Sequence, residues 1–284
     1  MKDRLNRNEK MTWISFPALE ATGCVYHGFS TREGGVSRGI YNTMNLSYTR
    51  GDKKADVDEN FRRFCEAIHI DPASLVLTQQ THTAHVIRVT EKDKGNGITR
   101  PQQYHDVDGL VTDVPGVALI THHADCVPLF FVDPVHKAIG LSHSGWRGTA
   151  GKMGAVTVEK MRKEFGSRPE ELVAAIGPSI CRKCYEVSED VYRAFSESFL
   201  PEDVSAVFDR KGNGKYQLDL WEANRRILIR AGVREENISV TGYCTHCHPD
   251  LLWSHRTLGK DRGSLAAFLC LKEEGWGRKQ ADSK

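Results

Sequence analysis

At 284 residues the chain is long enough to bury a substantial core, and its formal charge of +2, from 39 basic and 37 acidic side chains, lacks the excess expected of a dedicated nucleic-acid binder. An apolar fraction of 39% and a charged fraction of 27% fit an ordinary soluble globular protein, and no run of about 18 apolar residues exists to span a membrane. The charged first decamer and the short apolar run after it give no signal core, so the expected place is the cytoplasm, where eight cysteines read as thiols or metal ligands and not as a disulfide framework.

Residues 13–16 and 24–29 read as two early strands, followed by a Gly-rich loop centred on Arg32. Apolar residues Val57, Phe61, Phe64, Cys65 and Ile68 recur at helical spacing and predict a helix over 56–70. Residues 75–79 and 86–90 read as strands separated by the segment QTHTAH, and 91–105 as an irregular polar connection. Three short apolar runs follow, 117–120, 127–132 and 138–141, bounded by Gly, Pro and Asp. Helices are expected over 153–165, 190–199 and 220–231, the last capped by Asp219 with Glu222 completing the box. Strands are expected at 172–176, 238–243, 251–255 and 265–271, with loose termini at 1–10 and 273–284. The pattern predicts one α/β domain over 1–284, a layered sandwich with a mixed β-sheet flanked by helices, its sheet order open.

Chemistry concentrates between Asp106 and Thr149, where His122, His123, Cys126, His136 and His143 sit beside strand ends. His82, Cys126 and His143 each lie next to a turn, and two imidazoles with a thiolate suit zinc with one position left open. A buried core cysteine among hydrogen-bonded histidines is the competing explanation.

The segments HGFSTREGGVS (27–37), QTHTAHV (80–86), DVDGLVTD (106–113), ADCVPLFFVDP (124–134), AIGLSHSGWRGT (138–149), IGPSICRKCYEV (176–187), LDLWEANRRIL (218–228) and CTHCHPDLLWSHR (244–256) run along nearly the whole chain. Together they make it resemble the YfiH/YlmD family, also called the multicopper polyphenol oxidoreductase or laccase-domain family, which has a mammalian relative, FAMIN; the likeness is greatest to the Bacillus-type members. The resemblance implies a metal trio of His82, Cys126 and His143, with the first slot at His82 and not His85. It also implies phosphorolysis of adenosine, inosine and methylthioadenosine and deamination of adenosine, with purine nucleosides and phosphate as partners and a homodimer, while charge and hydropathy argue against nucleic acid and membrane as partners. Zinc is the expected metal, with copper also suited to the ligand set, but one His₂Cys group cannot perform four-electron oxygen reduction.

On that reading a water of metal-lowered pKa attacks C6 of adenine, and Asp108 or Asp125 assists proton transfer. Phosphorolysis needs anion contacts, for which Arg147 and Arg32 in Gly-rich turns, with Ser142 and Ser144, are the candidates. An ordinary ion pair at Arg147 and a turn cap at Asp108 are the simpler readings.

Three rival signals remain. Residues 145–152 (GWRGTAGK) have the wrong spacing for a Walker loop. Cys181-x-x-Cys184 and Cys244-x-x-Cys247 are about 59 residues apart, unlike a compact zinc ribbon, and read as packed or oxidation-prone thiols ahead of a second metal site, to which His246 and His248 could add ligands. Cys126 with His143 also admits a metal-free thiolate nucleophile, as in a hydrolase cleaving cell-wall amides. A non-enzymatic metal-binding regulator is the third class.

Overall fold

The computed structural model describes residues 3–273. Its strands form two six-stranded mixed sheets and one three-stranded sheet. The first sheet runs Arg4–Arg7, Thr12–Ser15, Val25–Ser30, Leu265–Leu271, Ala118–His123, Leu75–Leu77. The second runs Ile238–Val240, Val173–Ile176, Val127–Asp133, Ala138–Ser144, Gly109–Thr112, Val86–Arg88. The small sheet joins Glu186–Ser188, Lys215–Leu218 and Phe208–Gly212.

Period-two alternation explains how the sheets stack. Along Leu265–Leu271, residues Leu265, Ala267, Leu269 and Leu271 share a core with Phe130, Val132, Ile139 and Leu141 of the second sheet. The intervening Ala266, Phe268 and Cys270 pack on Val57, Phe61 and Phe64 of helix Lys54–Ala67. On the second sheet, Val127, Leu129 and Phe131 face Met153 and Met161 of helix Met153–Phe165, and Ile227 and Leu228 of helix Leu220–Arg230. The order is therefore helix, sheet, sheet, helix. The inner strands are buried on both faces, which is why they read as continuous apolar runs without polar alternation.

The α/β sandwich class holds, with two stacked six-stranded sheets and a small third where the pattern suggested one. Local signals account for the ends of two helices. Gly166, at φ +74, closes helix Met153–Phe165. Asp219 accepts the Glu222 N–H at 3.0 Å, but the box is half-formed because the Glu222 carboxylate pairs with Arg225 and Arg226.

Two local expectations fail. Arg4–Arg7 is not loose: it pairs antiparallel with Thr12–Ser15. Residues 251–255 are not a strand, because Ser254 caps a short helix, His255–Leu258, while Leu252 and Trp253 are buried between the sheets. Of the expected loose 273–284 tail, only Glu273 lies within the described residues. Among those residues no helix is long and apolar enough to cross a membrane.

Candidate metal centre and cleft

His82 comes from the loop between strands Leu75–Leu77 and Val86–Arg88, Cys126 immediately precedes strand Val127–Asp133, and His143 lies near the end of strand Ala138–Ser144. The antiparallel register pairs Pro128 with His143, which sets Cys126 beside the imidazole. One ligand atom from each of the three lies within 4.8 Å of the others. Gly145 makes this convergence sterically feasible: a Cβ there would meet Cys126 Sγ at 2.9 Å and His82 Cδ2 at 3.0 Å.

Asp108, fully buried, organises the trio from behind. Its Oδ1 lies 2.7 Å from His143 Nδ1, and its carboxylate also accepts the N–H groups of Thr81, His82 and Thr83 at 2.9–3.1 Å. Three consecutive amides on one carboxylate hold the loop in which His82 takes a left-handed φ of +68. With Nδ1 of His143 occupied by Asp108, Nε2 is left for the cleft, the usual second-shell arrangement of a ligating histidine.

Electrostatics prepare the thiol. Burial raises the Cys126 pKa, but the charge of His143 and hydrogen bonds from His143 and His82 bring it down to about 6. Burial lowers the His143 pKa, and the Cys126 and Asp108 charges and hydrogen bonds raise it to about 9. These neighbours favour the Cys126 thiolate, the form that binds a metal or attacks a substrate. His123 is not part of the set. Its Nδ1 meets the Cys126 carbonyl at 3.1 Å and its Nε2 meets Thr121 Oγ1 at 2.8 Å, so both ring nitrogens are used.

The trio opens on a cleft of about 400 Å³, within the range of small-molecule sites. Arg50, His122 and Arg262 line it. Arg262 is only 6% exposed; its Nη1 donates to the Gly263 carbonyl at 2.8 Å, and its buried Nε has no partner among the described residues. Burial, with the nearby Arg50 charge, lowers its pKa to about 10. Among the described residues neither arginine pairs with a carboxylate, although Arg50 Nε reaches Ser264 Oγ at 3.4 Å. The His122 Nε2 is likewise buried and unpartnered. Buried polar atoms without partners at a cleft wall are where a ligand's polar groups would be satisfied.

Several expected roles are not supported. Asp108 is too deeply buried to hand a proton to a substrate, and it orients His143 instead. Asp125, at φ +81, turns away: Thr245 Oγ1 and the Arg256 N–H each bind one of its oxygens at 2.6 Å. Ser142 is fully buried against Thr157 at 2.7 Å, and Ser144 against Thr149 and Asn224 at 2.9 and 3.1 Å, so neither offers a hydroxyl to the cleft. Arg32 does not line it either; its guanidinium donates to the Pro249 and Asn42 carbonyls and stacks on Trp253 at 3.8 Å. Arg147 is exposed, stacks on Trp146 at 4.2 Å, and likewise lies outside the residues lining the cleft.

Strand alternation carried the signal that separates these residues. Gly140, Ser142 and Ser144 face the helix layer, whereas Ile139, Leu141 and His143 face the space between the sheets. His122 lies in the histidine-rich stretch that the sequence marks, whereas Arg50 and Arg262 lie in no motif, and only the fold brings the three together.

The family described as multi-copper polyphenol oxidoreductase laccase matches residues 26–272. The chain is 38% identical over 253 residues to purine nucleoside phosphorylase YlmD of Bacillus subtilis (strain 168), covering 88% of this chain and 89% of that protein. It is 34% identical over 238 residues to adenosine deaminase RL5 from an unknown prokaryotic organism, covering 83% and 90%. The crystal structure of YlmD from Geobacillus stearothermophilus superposes with a TM-score of 0.87 at 34% identity, covering 95% of this chain and all of the other.

Proposed function

The chain belongs to the multi-copper polyphenol oxidoreductase laccase family, and we propose that it is a zinc-dependent purine nucleoside enzyme that performs phosphorolysis of adenosine, inosine and methylthioadenosine and deamination of adenosine. The observation that carries this reading is the placement of two arginines, without carboxylate partners among the described residues, on the wall of the same cleft that holds the His₂Cys trio. A single ligand group of two imidazoles and one thiolate fits zinc with one open position, and it falls short of the several copper centres that oxygen reduction requires.

His82, Cys126 and His143 would hold the ion, which supplies a Lewis acid and lowers the pKa of water. Asp108 fixes the His143 ring so that Nε2 faces the cleft. Arg50 and Arg262 bind the anionic oxygens of inorganic phosphate and orient one of them toward C1′ of the ribose. The phosphate oxygen forms its bond to C1′ as the bond from C1′ to the purine nitrogen breaks, and the base leaves with the electron pair. His122 Nε2, buried and without a partner among the described residues, would accept or donate to a polar edge of the nucleoside.

Chromatography of adenine, inosine and hypoxanthine formed from adenosine, with and without phosphate and before and after chelation, tests the reading. Phosphate-dependent adenine release or inosine formation that disappears with the metal is expected. Turnover of amide substrates that survives chelation would instead make Cys126 a nucleophile. The absence of any turnover from the metal-loaded protein would favour a regulator.

A further inference from the structure

Away from the trio, two CxxC turns meet. Cys184 Sγ and Cys181 Sγ lie 3.4 and 4.0 Å from Cys247 Sγ, and all four sulfurs, including Cys244, fall within 4.8 Å of one another. A single tetrahedral ion with metal–sulfur bonds of about 2.3 Å spaces its sulfurs roughly 3.8 Å apart, so the four thiols already bracket that edge. A cluster of several irons would hold opposite thiolates farther apart. The fold supplies what the long spacing lacked: Ser179 and Cys244 form a parallel bridge, and the Thr245 N–H donates to the Ser179 carbonyl at 3.1 Å, which sets the turns side by side.

Burial raises the Cys244 pKa to about 11, and two amides work against it. Cys244 Sγ accepts the Cys181 N–H at 3.3 Å and the Cys247 N–H at 3.4 Å, and amide donors to sulfur favour the charged form. The four converging ligand atoms are all sulfur, and neither His246 nor His248 joins the group. Four cysteines with no open position make a structural site, unlike the three-ligand trio.

The same loops grip the residue preceding Cys126. The Ile180 N–H donates to the Asp125 carbonyl at 3.0 Å, and Thr245 Oγ1 and the Arg256 N–H hold its carboxylate. Arg256 also donates to the Cys184 and Glu186 carbonyls at 3.4 and 2.9 Å. We propose that Cys181, Cys184, Cys244 and Cys247 bind one zinc ion as a closed tetrathiolate site, which clamps the two loops that position Asp125 and Cys126.

Zinc, iron and free thiols are counted in the full-length protein purified under reducing conditions without chelator. Two zinc equivalents per chain are expected, falling to one in Cys126→Ala and to one in the double variant Cys184→Ser, Cys247→Ser. If the double variant does not fold, the Cys126→Ala protein still decides. After cobalt exchange its remaining ion must show the thiolate charge-transfer spectrum of four sulfur ligands. Loss of all zinc in Cys126→Ala, iron as the retained metal, or a mapped Cys184–Cys247 disulfide in the freshly purified protein would overturn the assignment. These arms do not depend on the function of the trio, so failure of the nucleoside reading leaves them intact.

Discussion

Asp108 Oδ1 and His143 Nδ1 lie 2.7 Å apart with both side chains buried, so the carboxylate that the sequence offers as a proton carrier is instead the group that aims an imidazole. Burial raises the Asp108 pKa, but the hydrogen bond and charge of His143 and the loop amides bring it below the ordinary value. Asp108→Asn keeps an oxygen but loses the charge and sets an amide against backbone donors. Zinc affinity, read by competition with a chromogenic chelator, is expected to fall about 10- to 100-fold. An unchanged affinity would reduce Asp108 to a loop cap.

Gly145 tests the same centre sterically. Gly145→Ala drives a methyl group to 2.9 Å from Cys126 Sγ, at a residue whose φ of −71 any amino acid tolerates. The trio must open while the backbone stays unstrained. Zinc affinity and nucleoside turnover are expected to drop about tenfold or more, with a thermal midpoint near that of the parent. A drop in the midpoint with intact metal binding would place the role of Gly145 in folding.

Cys126→Ala and His123→Ala separate ligand from neighbour. The first removes a thiolate from the trio and is expected to lose that zinc equivalent and all metal-dependent turnover. The second removes a ring whose two nitrogens bind the Cys126 carbonyl and Thr121, so its zinc content should stay at the parental level. Metal analysis of the two proteins checks both, and zinc loss in His123→Ala alone would exchange the two assignments.

Arg262→Gln distinguishes the two proposed reactions. The guanidinium is 6% exposed and has no carboxylate partner among the described residues, so its removal relieves a buried charge and should not lower stability. A charge-assisted hydrogen bond contributes about 1.5–3 kcal/mol, which predicts a rise in the phosphate KM of roughly 10- to 100-fold. Adenosine deamination, which needs no phosphate, should keep its rate. Equal losses in both reactions would make Arg262 a nucleoside contact.

The trio was legible because its residue types and motifs lie in continuous segments, and the long apolar strands announced a two-sided core. Sheet count was hidden, since stretches such as 117–120 and 127–132 look alike whichever sheet they join. Ser142 and Ser144, expected as hydroxyl donors, flank His143 in sequence, yet alternation sends them to the opposite face. Arg50 and Arg262 left no trace and His122 showed only as one histidine among several, because their convergence depends on contacts between segments some 70 to 200 residues apart. The Cys₄ cluster shows the same limit: spacing argued against it, and one parallel bridge at Cys244 reverses that argument.

Acid should destabilise the fold through its buried histidines, and His27 allows the clearest test. It is 6% exposed, and its Nε2 accepts the Phe16 N–H at 2.8 Å, a bond that requires the neutral ring. Burial, opposed by Glu20 and aided by Lys272, lowers its pKa from 6.5 to about 4. Between those values the unfolded chain binds a proton that the fold excludes. The stabilisation is therefore fully present above about pH 6.5 and is lost as pH falls toward 4, a change of about 3 kcal/mol. His27→Gln can still accept the Phe16 N–H but does not titrate, so its urea-derived stability should fall about 3 kcal/mol less than that of the parent between pH 7 and 4. Parallel curves would mean that His27 titrates alike in both states, and would assign the acid response to His122, lowered to about 4 by burial, and His123, lowered well below its ordinary value by burial.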